Sequence, residues 1–231
     1  LKNRQSAADD QSRKGQLKIN DHWKDSRKTK AMGRVVGTLQ GMMGSRERCM
    51  YCLDSHGSDI EHFWPKAEFP EKMYQWPNLL LCCTECGRFK GNTFPLSHEK
   101  PLLIDPTAEE PWDYLDFDPK TGNIMARFDK TTNNKSEKGS KTVKVLQLNR
   151  REALADGYKK TFRKIKAEVE RKLSETSPDA AEFKKFIGDI DEHGLIGWGF
   201  IGVGREQSPF SDLRKRHPKF WEEIHSWLSQ A

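Results

Sequence analysis

An α+β chain, mostly helical towards both ends and stapled by cysteines near its middle, is what this sequence predicts, on three observations. Two C-x-x-C pairs, Cys49 with Cys52 and Cys83 with Cys86, stand 30 residues apart. Between Leu115 and Phe128, apolar residues alternate with polar ones around the turn Asp118-Pro119-Lys120-Thr121-Gly122-Asn123, which predicts a β-hairpin over 114–128. From Leu154 through Tyr158, Phe162, Ile165 and Val169 to Leu173, apolar residues recur every three or four positions, which predicts an amphipathic helix with Asn149 as its cap.

The other elements follow in order. Residues 1–15 are polar and expected to fray, and 16–44 read as helix with a break near Ser26 and a stop at Gly44. Leu102-Leu103-Ile104-Asp105-Pro106 reads as a buried strand or extended segment ended by proline. The polar run 129–141 reads as a mobile loop. Ser177-Pro178 opens a helix to about Glu192, with Gly194 as its stop. An apolar Gly-rich link, 195–204, leads to a last helix over 219–228 that carries Phe220, Trp221, Ile224 and Trp227 on one side. The expected division is an N-terminal helical segment (1–48), a central core (49–106) and a mainly helical C-terminal region with the hairpin (107–231).

Composition narrows the class. With 231 residues, 35% hydrophobic and 32% charged, the chain can fold as one domain with flanking helices or as two small ones. The formal net charge of +6 fits a polyanionic partner, nucleic acid first, and equally fits a solvated basic surface. No run of 18 apolar residues and no secretory signal is visible, so no membrane span is expected and the chain reads as cytoplasmic. No small-molecule substrate is expected.

All five cysteines fall within 38 residues. An odd count with two C-x-x-C pairs is not a secreted disulfide framework. Each C-x-x-C turn presents two thiolates, and two turns complete a tetrahedral zinc site. Redox pairing would need a thioredoxin-like unit, which is not visible. Cys82 is left over and, following Leu79-Leu80-Leu81, reads as a small buried side chain.

The insert between the pairs carries the chemistry. In order come Ile60-Glu61-His62-Phe63 with Pro65-Lys66, then Trp76 with Asn78-Leu79-Leu80-Leu81, the second cysteine pair, Lys90-Gly91 and Phe94-Pro95. This order resembles the HNH endonucleases, and within them the nuclease subunit of the Septu anti-phage systems and related retron effector nucleases. The match covers about residues 49–106. Leu103-Ile104-Asp105-Pro106 and Leu148-Asn149-Arg150 fit the same subgroup.

The resemblance implies a zinc-stapled ββα-metal core. Glu61-His62 would end its first strand, a loop would hold Asn78, and a helix would start near Cys83. It implies His62 as the general base that activates water against a DNA phosphodiester. Asn78 would tie the loop and orient the His62 ring, and Glu61 would be a ligand for a catalytic Mg²⁺ or Mn²⁺. A histidine titrating near ~6.5 suits the base role, and a divalent ion neutralises the phosphate and leaving oxygen. Because adjacent strand residues face opposite ways, a site shared by Glu61 and His62 needs a bend. Lys66, Arg88 and Lys90 are candidate phosphate contacts with DNA. The implied partners are phage or plasmid DNA and an ATPase subunit that controls cleavage.

One position departs from the family. Where many HNH helices place an Asn or His metal ligand straight after the last cysteine, this chain has Gly87. Asn92, His98 and, more distantly, His56 are candidates to complete the shell. The departure favours an alternative of another class, a catalytically weak zinc-stapled DNA-binding or adaptor subunit. A standalone restriction-type enzyme is a third reading, and the lack of an evident specificity domain argues against it.

Overall fold

The structure, a computed structural model, describes residues 1–229. It divides into two compact units, one of 1–109 with 145–147, the other of 110–144 with 148 onward.

In the first unit, α1 (Lys2–Arg13) replaces the expected frayed terminus. The reason is tertiary. Ala8 is buried, and the Gln5 side chain donates to Pro70 O at 3.0 Å and accepts from Tyr74 N at 2.8 Å. Then come α2 (Ile19–Arg27) and α3 (Lys30–Met42). They part at 28–29, close to the expected break, because the Thr29 hydroxyl caps α3 by accepting from Met32 N.

Strand β1 (Asp59–His62) pairs antiparallel with β2 (Leu79–Cys82), in the register Asp59 with Cys82 and His62 with Leu79. β1 alternates half-buried Asp59 and Glu61 with buried Ile60 and His62, whereas β2 is buried throughout. Helix α4 (Thr84–Lys90) follows directly, and a two-residue pair β3 (Leu96–Ser97) and β4 (Lys100–Pro101) closes the block. Leu103 and Ile104 are buried as expected but form no strand. Trp23, Met32 and Leu39 of the N-terminal helices share one core with Ile60, Phe63, Met73, Leu79, Leu81 and Phe94. The helices therefore pack as part of the cysteine-stapled block.

In the second unit, β5 (Leu115–Phe117) and β6 (Ile124–Ala126) form the expected hairpin. The run expected to be a mobile loop instead holds the small hairpin β7 (Phe128–Asp129) and β8 (Asn134–Lys135) and the start of α5 (Glu137–Leu146). Helix α6 (Glu152–Ser174) carries the predicted stripe, with Leu154, Tyr158, Phe162, Ile165 and Val169 buried. Asn149 does not cap it. Its amide is spent on the hairpin, accepting from Ile124 N at 2.9 Å and donating to Ile124 O at 2.8 Å.

Helix α7 (Ala180–Ile190) is capped by Asp179. The Gly-rich link is a buried helix, α8 (Leu195–Phe200), and a helix with apolar residues on every side belongs inside. The Asp191 carboxylate starts it, accepting from Leu195 N at 3.0 Å and Ile196 N at 2.8 Å. α9 (Phe210–Arg216), not foreseen, precedes α10 (Pro218–Leu228), whose Trp221 stacks on Phe200 with ring centroids 4.2 Å apart. Among the described residues, no helix is long and apolar enough to cross a membrane.

Candidate functional site

The two C-x-x-C segments meet at the end of the β1–β2 hairpin. Cys49, Cys52, Cys83 and Cys86 are all buried, and their sulfurs lie within 4.8 Å of one another. A tetrahedral zinc with bonds of about 2.3 Å would set its sulfurs about 3.8 Å apart, so the donor set fits the ion. The 4.0 Å separation of the Cys52 and Cys83 sulfurs is of that size. Cys83 also caps α4, its sulfur accepting from Cys86 N at 3.5 Å.

Four thiols this close cannot all ionise without a cation. Cys49 is pushed up to about 12, first by its hydrogen bond with Cys52. Cys83 and Cys86 are raised, first by Cys49, and Cys52 is lowered because the other three donate to it. Bound zinc would replace that proton sharing and hold all four as thiolates. Cys82 is buried outside this group and donates to Cys83 O at 3.3 Å.

His62 ends β1 and is buried. Its Nε2 lies 3.0 Å from Met73 O. A carbonyl only accepts, so Nε2 carries the proton and Nδ1 is left as the ring's acceptor. The Trp23 ring meets the imidazole edge-on at 4.3 Å between centroids. Burial first, then the charge of Lys66, pull His62 down to about 3; the Met73 carbonyl pulls the other way, and Lys90 adds a smaller downward pull. The ring is therefore neutral at physiological pH.

Asn78 is buried and ties the loop, as expected from the resemblance. Its Oδ1 accepts from Trp64 N at 2.6 Å, and its Nδ2 donates to Trp64 O at 3.1 Å and Lys72 O at 2.9 Å. These bonds go to main chain and not to the His62 ring. The ring is held instead by Met73, the residue after Lys72, and by Trp23.

Glu61 precedes His62 in β1 and is half-buried. Its Oε1 lies 3.0 Å from the Lys90 ammonium, which also donates to His62 O at 2.7 Å. Lys90 was expected to meet phosphate from the surface, but its side chain is fully buried and committed to these acceptors. A Cβ at Gly87 would lie 3.4 Å from Glu61 Oε2, so the position lacking a side-chain ligand does face that carboxylate. A hollow of about 170 Å³ between Glu61, Cys83, Gly87 and Arg88 marks the place. Glu61 lines this hollow with its Oε1 held by the Lys90 ammonium.

A cleft of about 250 Å³ brings Glu61 and His62 together with Lys66, Asp59, Asn92, Trp23 and Arg27. Of the predicted cations, Lys66 lines this cleft. Arg88 is exposed and pairs with Glu85 at 3.5 Å. His56 lies apart, 3.7 Å from Glu47, and His98 is an exposed turn residue. The sequence reading missed Trp23, Arg27, Met73 and Gln5. Only the i, i+4 spacing of Trp23 and Arg27 on one helix face hinted at a shared role. A neutral, partly dried base beside a carboxylate and half-exposed cations can bind an anion and take a proton next to it.

No family model and no solved structure matches the chain. Curated relatives do. The chain is 32% identical over 115 residues to Septu protein PtuB of Bacillus thuringiensis, covering 48% of this chain and 40% of that protein. It is 31% identical over 136 residues to Septu protein PtuB of Bacillus mycoides strain KBAB4, covering 46% and 44%. A third similarity, 34% over 103 residues, is to Septu protein PtuA of the same strain, covering 36% of this chain and 13% of that protein. The chain thus spans about two-fifths of the PtuB proteins it matches. Over about half its own length, it is similar to the Septu PtuB proteins.

Proposed function

We propose that this chain is a metal-dependent DNA endonuclease of the HNH type, the nuclease component of a Septu-type anti-phage system, controlled by an ATPase partner. The observation that carries the reading is the state of His62, a neutral imidazole whose Nε2 proton is tied to Met73 O, in a cleft with Glu61 and Lys66. The similarity to PtuB supports the system, and that to PtuA supports partnership within it.

The residues divide the work. Lys66 attracts the phosphodiester into the cleft. Nδ1 of His62 accepts the proton of the attacking water, and the Met73 carbonyl fixes which nitrogen does so. A base pulled down to about 3 draws protons weakly, but an anionic phosphate beside it favours the protonated form and raises its affinity as substrate binds. Trp23 keeps water off one side of the ring, and Asn78 holds the loop that carries Met73. Glu61 would hold a Mg²⁺ or Mn²⁺ ion, which supplies charge neutralisation at the phosphate and leaving oxygen. The four cysteines would hold a structural zinc that fixes α4 against the hairpin.

The test is plasmid nicking with Mg²⁺ or Mn²⁺, with and without an ATPase partner. Nicking should appear and should fall by about 10²-fold or more in His62→Ala. Undiminished nicking in that variant removes His62 from the base role. The pairing of Glu61 with Lys90 and the bare position at Gly87 favour one second reading, a zinc-stapled DNA-binding subunit with weak or no catalysis. DNA binding without nicking under every condition would select it.

A further inference from the structure

The cleft has a wall that the cysteine-bounded motif does not supply. Helix α2 contributes Trp23 and Arg27, four residues apart and so on one face. Trp23 packs against the His62 ring, which places Arg27 one helical turn from the base. The Arg27 guanidinium meets Asp59 as a fork, with Nη2 to Oδ1 at 2.8 Å and Nη1 to Oδ2 at 3.3 Å. Both side chains are about half exposed, 48% and 45%.

An exposed ion pair of this kind contributes little to folding, about 0–1 kcal/mol. It does fix the direction of a planar, bidentate donor, which is the group best shaped for phosphate. Lys66 lines the same cleft. Glu61 already has its counter-ion in Lys90, so only Asp59 offsets Arg27 and Lys66, and the cleft is net positive.

Resting on the nuclease reading above, we propose that Arg27, paired with Asp59 in the free chain, binds backbone phosphate of DNA in this cleft together with Lys66. The N-terminal helical region is then part of the substrate-binding machinery. An anion entering the cleft shares the fork or takes it from Asp59.

The experiment measures binding of a short duplex DNA by fluorescence anisotropy over a range of salt, in the His62→Ala background so that no cleavage intervenes. Arg27→Gln should weaken binding and flatten the slope of log K against log salt by about 1, the signature of one lost phosphate contact. Arg27→Lys keeps the charge and should keep the slope. Arg13→Gln, on exposed α1, should change neither. Asp59→Asn separates the proposal from a merely structural ion pair. A phosphate ligand freed of its counter-ion binds DNA as tightly as before or more so, whereas a structural pair loses as much from Asp59→Asn as from Arg27→Gln.

An unchanged slope in Arg27→Gln, equal losses in the two variants, or no DNA binding by the chain at all would overturn the proposal. Nicking by the chain with native His62 is scored separately. If nicking is absent both with and without an ATPase partner and Arg27→Gln still flattens the slope, the nuclease reading fails and Arg27 remains a DNA contact. If nicking is present and Arg27→Gln alters neither slope nor kcat/KM, the Arg27 proposal fails and the nuclease reading remains.

Discussion

His62 gives up its hydration to be held by Met73 and Trp23, and that exchange has a measurable cost in acid. The folded ring protonates at about 3, against the ordinary 6.5. Between these values the unfolded chain binds the proton and the folded chain does not. Stability therefore falls as pH falls below 6.5, by about 1.4 kcal/mol per pH unit attributable to this group. Replacing His62 by Gln should flatten the urea midpoint against pH over that window, and an unaltered profile would show the ring to be less buried than described. Lys90 makes the opposite bargain, charged and buried, with Glu61 as its partner. Lys90→Met should cost about 3 kcal/mol in chemical denaturation, the low end for a broken buried pair because Glu61 keeps a fifth of its side chain exposed. Adding Glu61→Gln should recover part of the loss, since the carboxylate no longer lacks a cation. At this scale the sequence was legible in part. The placing of Glu61 and His62 at the end of one strand and of Asn78 just before the next was readable, because it depends on local backbone. The inward turn of Lys90 was not, because nothing local says that a lysine 29 residues from Glu61 folds back onto it.

Elements show the same divide between local and distant causes. Helix α6 was legible because its buried stripe is a property of consecutive residues. The start of that helix was misread because Asn149 has two uses for its amide, a cap or a clamp on Ile124, and the hairpin wins. Helix α1 was missed because its own sequence is polar, and its order comes from Gln5 gripping the segment at Pro70 and Tyr74. α8 was read as a link because its glycines argue against a helix, yet they are what lets it lie against other elements. At Gly199 a Cβ would stand 2.2 Å from the Phe210 ring. The turn between β5 and β6 gives the sharpest element-scale prediction. Gly122 has φ +80°, and a Cβ there would meet Ala155 O at 2.1 Å, where α6 passes. Gly122→Ala combines a strained backbone with a clash against main chain, which cannot swing aside. It should lower stability by more than about 1 kcal/mol in thermal or chemical denaturation. A neutral result would mean that the turn and α6 can separate at little cost.

At the scale of the molecule, each of the two units has the means of its own stability, and they are different means. The second unit rests on large apolar side chains, with Trp198, Phe200 and Phe210 almost wholly buried and Trp221 stacked on Phe200. The first has Leu39, Leu79, Leu80 and Leu81 at its centre, but its cysteine-bound corner hangs on short pieces: four residues in each strand and seven in α4. A two-stranded hairpin is marginal alone, and a seven-residue helix is far below the length that stands unaided in water. The cysteine cluster joins both ends of that corner, so a metal held there would do the work that a larger core does elsewhere. The division makes a prediction that hydrogen exchange can read. Stripping the metal with a strong chelator should raise exchange in 59–62, 79–82 and 84–90, and should leave α6, α8 and α10 as protected as before. Return of zinc should restore the first set. Both His62 and Lys90 lie in the first set, and Lys90 is held there by main chain of β1. Equal loss in both units would mean that the cluster stabilises the whole chain as one body. No loss in either would mean that the four thiols pack adequately by themselves, and the zinc role would fall with it.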